Sequence, residues 1–146
     1  MPIYGRPYEP GQPQFITTGT YRRAKLFELD LFRWYFVQVR RQLRQETGSL
    51  LIGWVLMPEH FHLLIKPEPA EATRRFMQAL KKRTAQRIMA TLAGSPHEPW
   101  CRVMLARLRL PPSVHCDSRY RVWQRRFVPF HVLHGKEADR KARLHA

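Results

Sequence analysis

Two histidines stand one residue apart in the stretch GWVLMPEHFHLLIKP, which runs from Gly53 to Pro67. Side chains alternate between the two faces of a strand, so His60 and His62 are expected to point the same way while Phe61 points into the core. Their Cα atoms would lie roughly 6.5 to 7 Å apart, and two imidazoles at that spacing can bind one divalent cation. The pair could equally be structural histidines near a sheet surface, and the spacing alone leaves both interpretations open.

The histidines belong to the second strand of a predicted hairpin. Apolar runs over residues 50–57 and 61–66 are separated by Pro58 and Glu59. Proline cannot donate a hydrogen bond within a strand ladder, so Pro58 favours a turn and the two runs are predicted to pair antiparallel. The β-branched and aromatic residues of QFITTGTY, residues 14–21, predict a strand ahead of this hairpin.

One amphipathic helix is predicted before the hairpin and another after it. Apolar residues recur every three or four positions from Leu29 to about Gln45 and again from Ala72 to about Leu92. Gly48 is expected to end the first helix. The buried face of the second helix is predicted to be Phe76, Leu80, Thr84 and Ile88, and the residues of the first helix left to solvent are predicted to be Arg33, Arg40, Arg41 and Arg44.

A last strand is predicted in RVWQRRFVPFHVL, residues 121–133, where Pro129 indicates a sheet edge or a bulge. The order strand, helix, hairpin, helix, strand is typical of an α+β fold, a ferredoxin-like split β-α-β sandwich. Such a fold has an antiparallel sheet with its helices on one face.

The 146 residues suit one domain, which we expect to span 14–135 after a flexible lead, 1–13. Four prolines between 94 and 118 indicate an inserted arm with about one helical turn. The segment 136–146 begins like a charged helix that is truncated. The N-terminal residues have no apolar signal-peptide core and no stretch is long enough to cross a membrane, so we expect a cytoplasmic bacterial protein without a membrane partner.

Positive charge dominates the composition: 26 Lys and Arg face 11 Asp and Glu, for a formal net charge of +15. This balance favours a polyanionic partner, and the excess of arginine favours nucleic acid, because the guanidinium fork suits phosphates and bases. A basic protein without such a partner, or one that meets anionic lipid, is the alternative. Cys101 and Cys116 lack the spacing of a zinc site, and we assign them no chemistry.

Four stretches in this order, FITTGTYRR, GWVLMPEHFHLLIKP, ATRRFMQALKKRTAQRI and YRVWQRRFVPF, resemble the single-tyrosine HUH transposases, in particular the REP-associated tyrosine transposases. In that family two histidines hold a magnesium or manganese ion, which polarises the scissile phosphate of single-stranded DNA. A tyrosine on a late helix attacks and forms a 5′-phosphotyrosine link, and many members act as dimers on hairpin DNA. The resemblance therefore implies metal ligation by His60 and His62, a DNA partner and a homodimer.

Basic and aromatic residues around the hairpin are the candidates for contact with DNA. Arginine and lysine would meet backbone phosphates, and Trp123 and Phe127 could stack on unpaired bases. Solvated helix faces and core aromatics are the alternative for the same residues. The predicted nucleic-acid-binding residues are Arg75, Lys81, Lys82, Arg83, Arg87, Arg119, Arg121, Trp123, Gln124, Arg125 and Arg126.

The chain departs from the family at the nucleophile. Leu144 stands near the position expected for the catalytic tyrosine. None of the five tyrosines is expected on a C-terminal helix, and Tyr21, Tyr35 and Tyr120 are predicted to be structural. Glu59 also replaces an asparagine common in relatives, and this acid could assist the metal. We therefore expect a transposase-like protein, or its truncated remnant, that binds DNA but lacks its own nucleophile. A non-catalytic binder of DNA hairpins and a metal-dependent nuclease that uses water are the alternatives.

Overall fold

The computed structural model describes residues 13–48, 50–66, 72–114, 118–125 and 128–131. They form four strands and three α-helices, with two short 3-10 turns at Tyr21–Arg23 and Leu26–Glu28. In chain order the elements are β1 (Gln14–Gly19), α1 (Asp30–Thr47), β2 (Leu50–Leu56), β3 (His60–Lys66), α2 (Ala72–Gly94), α3 (Pro99–Leu108) and β4 (Val128–His131).

The four strands form one antiparallel sheet in the order β2-β3-β1-β4. The strands on either side of α1, which are β1 and β2, are thus separated by β3, as in a split β-α-β unit. Phe61, Leu63 and Ile65 of β3 are fully buried in the single core that the sheet shares with α1 and α2. The predicted α+β, ferredoxin-like class with helices on one face is confirmed.

The hairpin contains one irregularity, which lies in β2. The pairing register between β2 and β3 shifts between Leu51 and Gly53, so Ile52 is an extra residue without a Cα partner on β3. The Ile52 side chain is 51% exposed. A β-bulge of this kind bends the strand and increases its twist locally.

The faces predicted for the two long helices are correct with one exception. The four predicted core residues of α2 are all fully buried, and α1 ends at Gly48, whose φ of 66° permits its N–H to bond the Arg44 carbonyl. Arg40, however, is only 8% exposed, and its guanidinium lies 4.8 Å from the centre of the Trp54 ring. The assignment of Arg40 to the solvent face was wrong, because its long side chain covers the neighbouring strand. Burial, with repulsion from Arg44 and Arg41, lowers the pKa of Arg40.

The segment expected to hold about one helical turn contains the ten-residue helix α3. Glu98 caps its first turn by accepting a hydrogen bond from the Cys101 N–H at 2.8 Å, and Pro99 occupies the first helical position, which tolerates proline. Cys101 and Leu108 are buried, and the Trp100 ring packs against Phe32. The expectation of a mostly irregular segment was wrong because these contacts stabilise a helix between the prolines.

The last strand is shorter than predicted. Regular pairing with β1 covers Val128–His131, and Pro129 lies on an edge of the described sheet, as its missing N–H requires. The preceding residues, 118–125, cross the end of β1 with one isolated bridge between Thr20 and Trp123. Among the residues that the structure describes, no helix has the length and apolar character to cross a membrane.

Candidate functional site

The two histidines lie on the sheet face opposite the helices. His60 pairs with Gly19 of β1 and His62 with Thr17, and their ring centroids are 4.8 Å apart at an interplanar angle of 80°. Phe61, between them, is fully buried in the core on the other face. The alternation of side chains therefore gives the juxtaposition that the sequence predicted.

Each imidazole is oriented by a second side chain through its Nδ1 atom. His60 Nδ1 lies 3.1 Å from Glu59 Oε1, and because an ionised carboxylate can only accept, the imidazole donates. His62 Nδ1 lies 2.9 Å from Thr17 Oγ1. When Nδ1 carries the proton, the lone pair is on Nε2, the arrangement that second-sphere partners impose on metal-binding histidines.

The donor set fits a divalent cation only in part. Two imidazoles oriented through Nδ1 are suitable ligands. Glu59 lies beside His60, where the sequence predicted that an acid could assist the metal. Within the described ranges, no group of three His, Cys, Asp or Glu side chains could hold an ion. The remaining ligands would have to be water or substrate oxygens, which magnesium and manganese accept readily.

The backbone that carries His60 is held by contacts on both sides of the turn. The Glu59 carbonyl accepts from the Thr20 N–H at 2.8 Å and from Thr20 Oγ1 at 3.1 Å. The Phe27 N–H donates to the Pro58 carbonyl, and the Met57 N–H closes the turn on the His60 carbonyl. His60 is therefore positioned by the end of β1 and the following turn as well as by its own hairpin.

A cavity of about 210 Å³ opens beside His60. Its polar lining combines an imidazole, a carboxylate, an amide and a guanidinium, which is an environment for a charged ligand. The lining residues are Thr17, Gly19, Arg23, Glu59, His60 and Gln124.

A basic groove of about 700 Å³ runs between α2 and the segment 121–125. Its lining includes six of the predicted nucleic-acid-binding residues, together with Arg74 and Gln78, which were not among those predicted. Residues 74, 78, 81 and 85 follow the spacing of one helical stripe, and this is the signal that could have found the two additional residues. The lining is Arg74, Gln78, Lys81, Lys82, Ala85, Arg121, Val122, Trp123, Gln124 and Arg125.

Gln124 lines both the basic groove and the cavity beside His60. Its N–H donates to the Gly19 carbonyl at 2.9 Å, and its carbonyl accepts from Lys81 Nζ at 3.0 Å. A Cβ atom at Gly19 would lie 3.3 Å from the Gln124 side chain, so glycine permits this close approach. Burial and the nearby Arg121 lower the pKa of Lys81. The groove and the cavity beside His60 are thus joined through one residue.

The other predicted contact residues lie elsewhere. Arg83 makes two hydrogen bonds to the Glu46 carboxylate, at 3.1 and 2.9 Å, which raises the pKa of Arg83 and lowers that of Glu46. This pair links α2 to α1 outside the groove. Arg75, Arg87 and Arg119 are not among the described residues that line the basic groove or the cavity beside His60. Three further residues fall outside the described residues, namely Arg126, Phe127 and Leu144.

Trp123 is a core residue, so its predicted role as a stacking platform was wrong. It is 5% exposed, stacks on Phe27 at 5.7 Å and meets Phe61 edge-on at 5.3 Å. Its Nε1–H donates to the Lys81 carbonyl at 3.0 Å. The Trp123 ring therefore fixes the segment 121–125 to α2 and to β3, the strand that carries the histidines.

We expect Trp123→Leu to destabilise the fold by about 2 kcal/mol, because it removes a buried ring and its hydrogen bond. Urea unfolding followed by circular dichroism measures this loss. Affinity for a single-stranded oligonucleotide should change by less than about twofold, whereas a stacking role predicts a loss of about 1 to 3 kcal/mol per base. A large loss of affinity in a stably folded variant would restore the stacking interpretation.

The described tyrosines pack against the core. The Tyr35 hydroxyl lies 2.7 Å from Thr91 Oγ1, the Tyr21 ring lies 5.7 Å from the Arg121 guanidinium, and Tyr120 is partly buried. Of these three, none lines the cavity beside His60. Their placement agrees with the structural roles predicted for them.

Comparison with known proteins identifies the family. The profile of the family described as "Transposase IS200 like" matches residues 11–105. A crystal structure from Deinococcus radiodurans, of a protein assigned as a transposase, is 18% identical with a TM-score of 0.59 and covers 97% of this chain and 94% of that chain. A REP-associated tyrosine transposase bound to a REP hairpin is 17% identical with a TM-score of 0.62 and covers 97% and 68%.

No curated protein gives a significant match to the chain. The two solved structures are similar in fold, while the profile runs from β1 into α3 and includes both histidines and five of the ten residues that line the groove. The chain belongs to the IS200-like transposase family.

Proposed function

We propose that the chain binds single-stranded or hairpin DNA along the basic groove and presents one backbone phosphate to His60 and His62. The observation that carries this proposal is the position of Gln124, which lines both the groove and the cavity beside His60. A strand bound in the groove would therefore reach His60 without crossing an unrelated surface. Family membership and the similarity to a fold solved with a REP hairpin support a DNA partner.

The charges of the groove suit a flexible polyanion. Its basic lining residues are Arg74, Lys81, Lys82, Arg121 and Arg125, and none of the described residues that line it is acidic. Contacts of this kind release counterions and position the DNA backbone without reading its sequence. The groove accounts for affinity, and the choice of a DNA target would require contacts to base edges.

His60 and His62 would hold the magnesium or manganese ion implied by the family, with Glu59 and Thr17 fixing the two rings. When bound, the ion supplies charge stabilisation to a phosphoryl oxygen. The chain's own contribution is to orient the two nitrogen ligands and to hold the phosphate beside them. Cleavage through a phosphotyrosine would need a hydroxyl that none of the described tyrosines brings to the cavity.

A binding assay tests the proposal directly. We expect a fluorescein-labelled DNA hairpin with a single-stranded 5′ tail to bind with an affinity that falls steeply with salt. Five contacts from the groove predict a slope of about −3.5 in a plot of log affinity against log salt, at about −0.7 for each contact with a single strand. Fluorescence anisotropy between about 50 and 200 mM NaCl measures the slope. Affinity that is absent, or independent of salt, would contradict the proposal.

The same mixtures separate the alternatives for catalysis when manganese is added. A covalent protein–DNA adduct on a denaturing gel would indicate the transposase reaction, and cleavage without an adduct would indicate hydrolysis by water. Binding with neither product would indicate a non-catalytic hairpin-binding module. The homodimer implied by the resemblance stays a prediction, and sedimentation velocity with and without the hairpin tests it.

A further inference from the structure

Among the described residues that line the cavity beside His60, Arg23 is the one lysine or arginine. Its guanidinium makes no hydrogen bond or ion pair with the residues that the structure describes, although the Glu59 carboxylate lines the same cavity. The neighbouring Arg22, in contrast, is engaged with α3. The donors of Arg23 are thus available to a ligand in the cavity.

The backbone of Arg23 is held in a conformation that non-glycine residues rarely adopt. Arg22 and Arg23 both have φ values of 53°, in the left-handed region. Such strained residues persist only where their surroundings fix them, and they are concentrated at ligand sites. Two successive strained residues therefore require specific contacts around this turn.

Helix α3 and the segment 118–125 supply those contacts. Arg107 Nε donates to the Arg22 carbonyl at 2.9 Å, and Arg22 Nη1 reaches the Arg107 carbonyl at 3.5 Å. The Tyr21 N–H donates to the Val122 carbonyl at 2.8 Å. Because the turn is fixed from α3 and from the segment 118–125, the Arg23 side chain begins from a defined point at the cavity.

We propose that Arg23 binds the DNA phosphate that reaches His60 and His62, as a positioning residue beside the histidine pair. A guanidinium can donate two parallel hydrogen bonds to phosphate oxygens, and this geometry fixes orientation as well as adding affinity. Arg23 would hold the phosphate from the β1 side of the cavity while the histidines face it from β3. This inference rests on the proposed function, because it assumes that a DNA strand enters the cavity.

The chain offers a matched control in the residue next to Arg23. Arg22 is also exposed, has the same φ and carries the same charge, but it does not line the cavity. Arg22→Gln removes the 3.5 Å contact from Arg22 Nη1 to the Arg107 carbonyl but retains the backbone carbonyl that accepts from Arg107 at 2.9 Å, so the shorter of the two anchoring contacts is kept. The comparison of Arg23→Gln with Arg22→Gln therefore separates the effect of where the guanidinium lies from the effect of losing one positive charge.

The experiment measures the affinity of both variants for the labelled hairpin in EDTA and in MnCl₂. Arg23→Gln should lose about tenfold in affinity with manganese and less than about twofold in EDTA, whereas Arg22→Gln should lose less than about twofold in both. Arg23→Lys should recover part of the loss, since it restores the charge without the fork. Manganese affinity without DNA, measured by electron paramagnetic resonance, should be unchanged in both.

Equal losses in the two glutamine variants would overturn the role of Arg23 while leaving the proposed function intact. Failure of the unmodified chain to bind the hairpin would overturn both. Circular dichroism melting checks that the variants fold. If Arg23→Gln is unfolded, Arg23→Lys decides: full affinity with manganese would overturn the bidentate contact, and a partial loss confined to manganese would support it.

Discussion

Replacing His62 with alanine is expected to weaken manganese binding more than about 100-fold, because removal of a second-sphere partner alone typically costs 10- to 100-fold and His62 is a proposed direct ligand. The neighbouring imidazole, His60, would then face the ion as the one remaining nitrogen ligand of the pair. Titration of MnCl₂ followed by electron paramagnetic resonance of the free ion gives the affinity.

Two further variants make the His62 result specific. Thr17→Val removes the hydroxyl that lies 2.9 Å from His62 Nδ1 and should weaken manganese binding about tenfold while both rings remain. His97→Ala removes an exposed histidine from the turn after α2 and should have no effect. Because His62 is 4% exposed, His62→Gln, which is closer to it in volume, is the second choice if the alanine variant does not fold. Unchanged affinity in a folded His62 variant would exclude the pair as a metal site.

The second large effect is expected at the groove. The double change Lys82→Gln and Arg125→Gln should reduce affinity for a single-stranded oligonucleotide roughly 50-fold at about 50 mM salt. Each lost phosphate contact removes about 0.7 from the slope of log affinity against log salt, so the slope should become shallower by about 1.4. Fluorescence anisotropy across a salt series measures both quantities.

A control pair on α1 tests whether position or net charge is responsible. Arg41 and Arg44 are exposed and do not line the groove, and Arg41→Gln with Arg44→Gln removes the same two charges. Both residues repel the buried Arg40, so their removal should not destabilise the fold. We expect a loss of less than about fivefold and nearly the original slope, because distant charges are screened beyond about 10 Å at 0.1 M salt. Equal effects from the two pairs would indicate diffuse attraction to a basic protein instead of a groove.

The hairpin and its histidines could be predicted from sequence because period-two alternation links each residue to one face of a strand. Pro58 fixed the turn, the apolar residues fixed the buried face, and the side to which His60 and His62 point then follows from geometry alone. The predicted order of strands and helices along the chain is likewise compatible with only a few orders of strands in the sheet. These inferences depend on local chemistry, which is present in a single sequence.

The errors concern residues whose environment depends on partners distant in the chain. Arg40 is buried by Trp54 of a neighbouring strand, and Trp123 is buried by Phe27 and Phe61. Neither contact leaves a periodic signal near the residue itself. The same limit applies to the cavity beside His60, where β1, the following turn, the hairpin and the segment 118–125 each contribute a side chain.

The bulge at Ile52 has a consequence for how the molecule behaves when it is concentrated. β2 forms an outer edge of the described sheet, and its side chains Ile52, Trp54 and Val55 are 51%, 38% and 47% exposed. A flat, apolar edge strand without a bulge would offer a template on which strands of other molecules could add to the sheet. The extra residue interrupts the regular donor–acceptor repeat, so a foreign strand could extend an unbroken ladder only along the few residues after it. Bulges in edge strands are one of the devices by which sheet proteins disfavour edge-to-edge pairing.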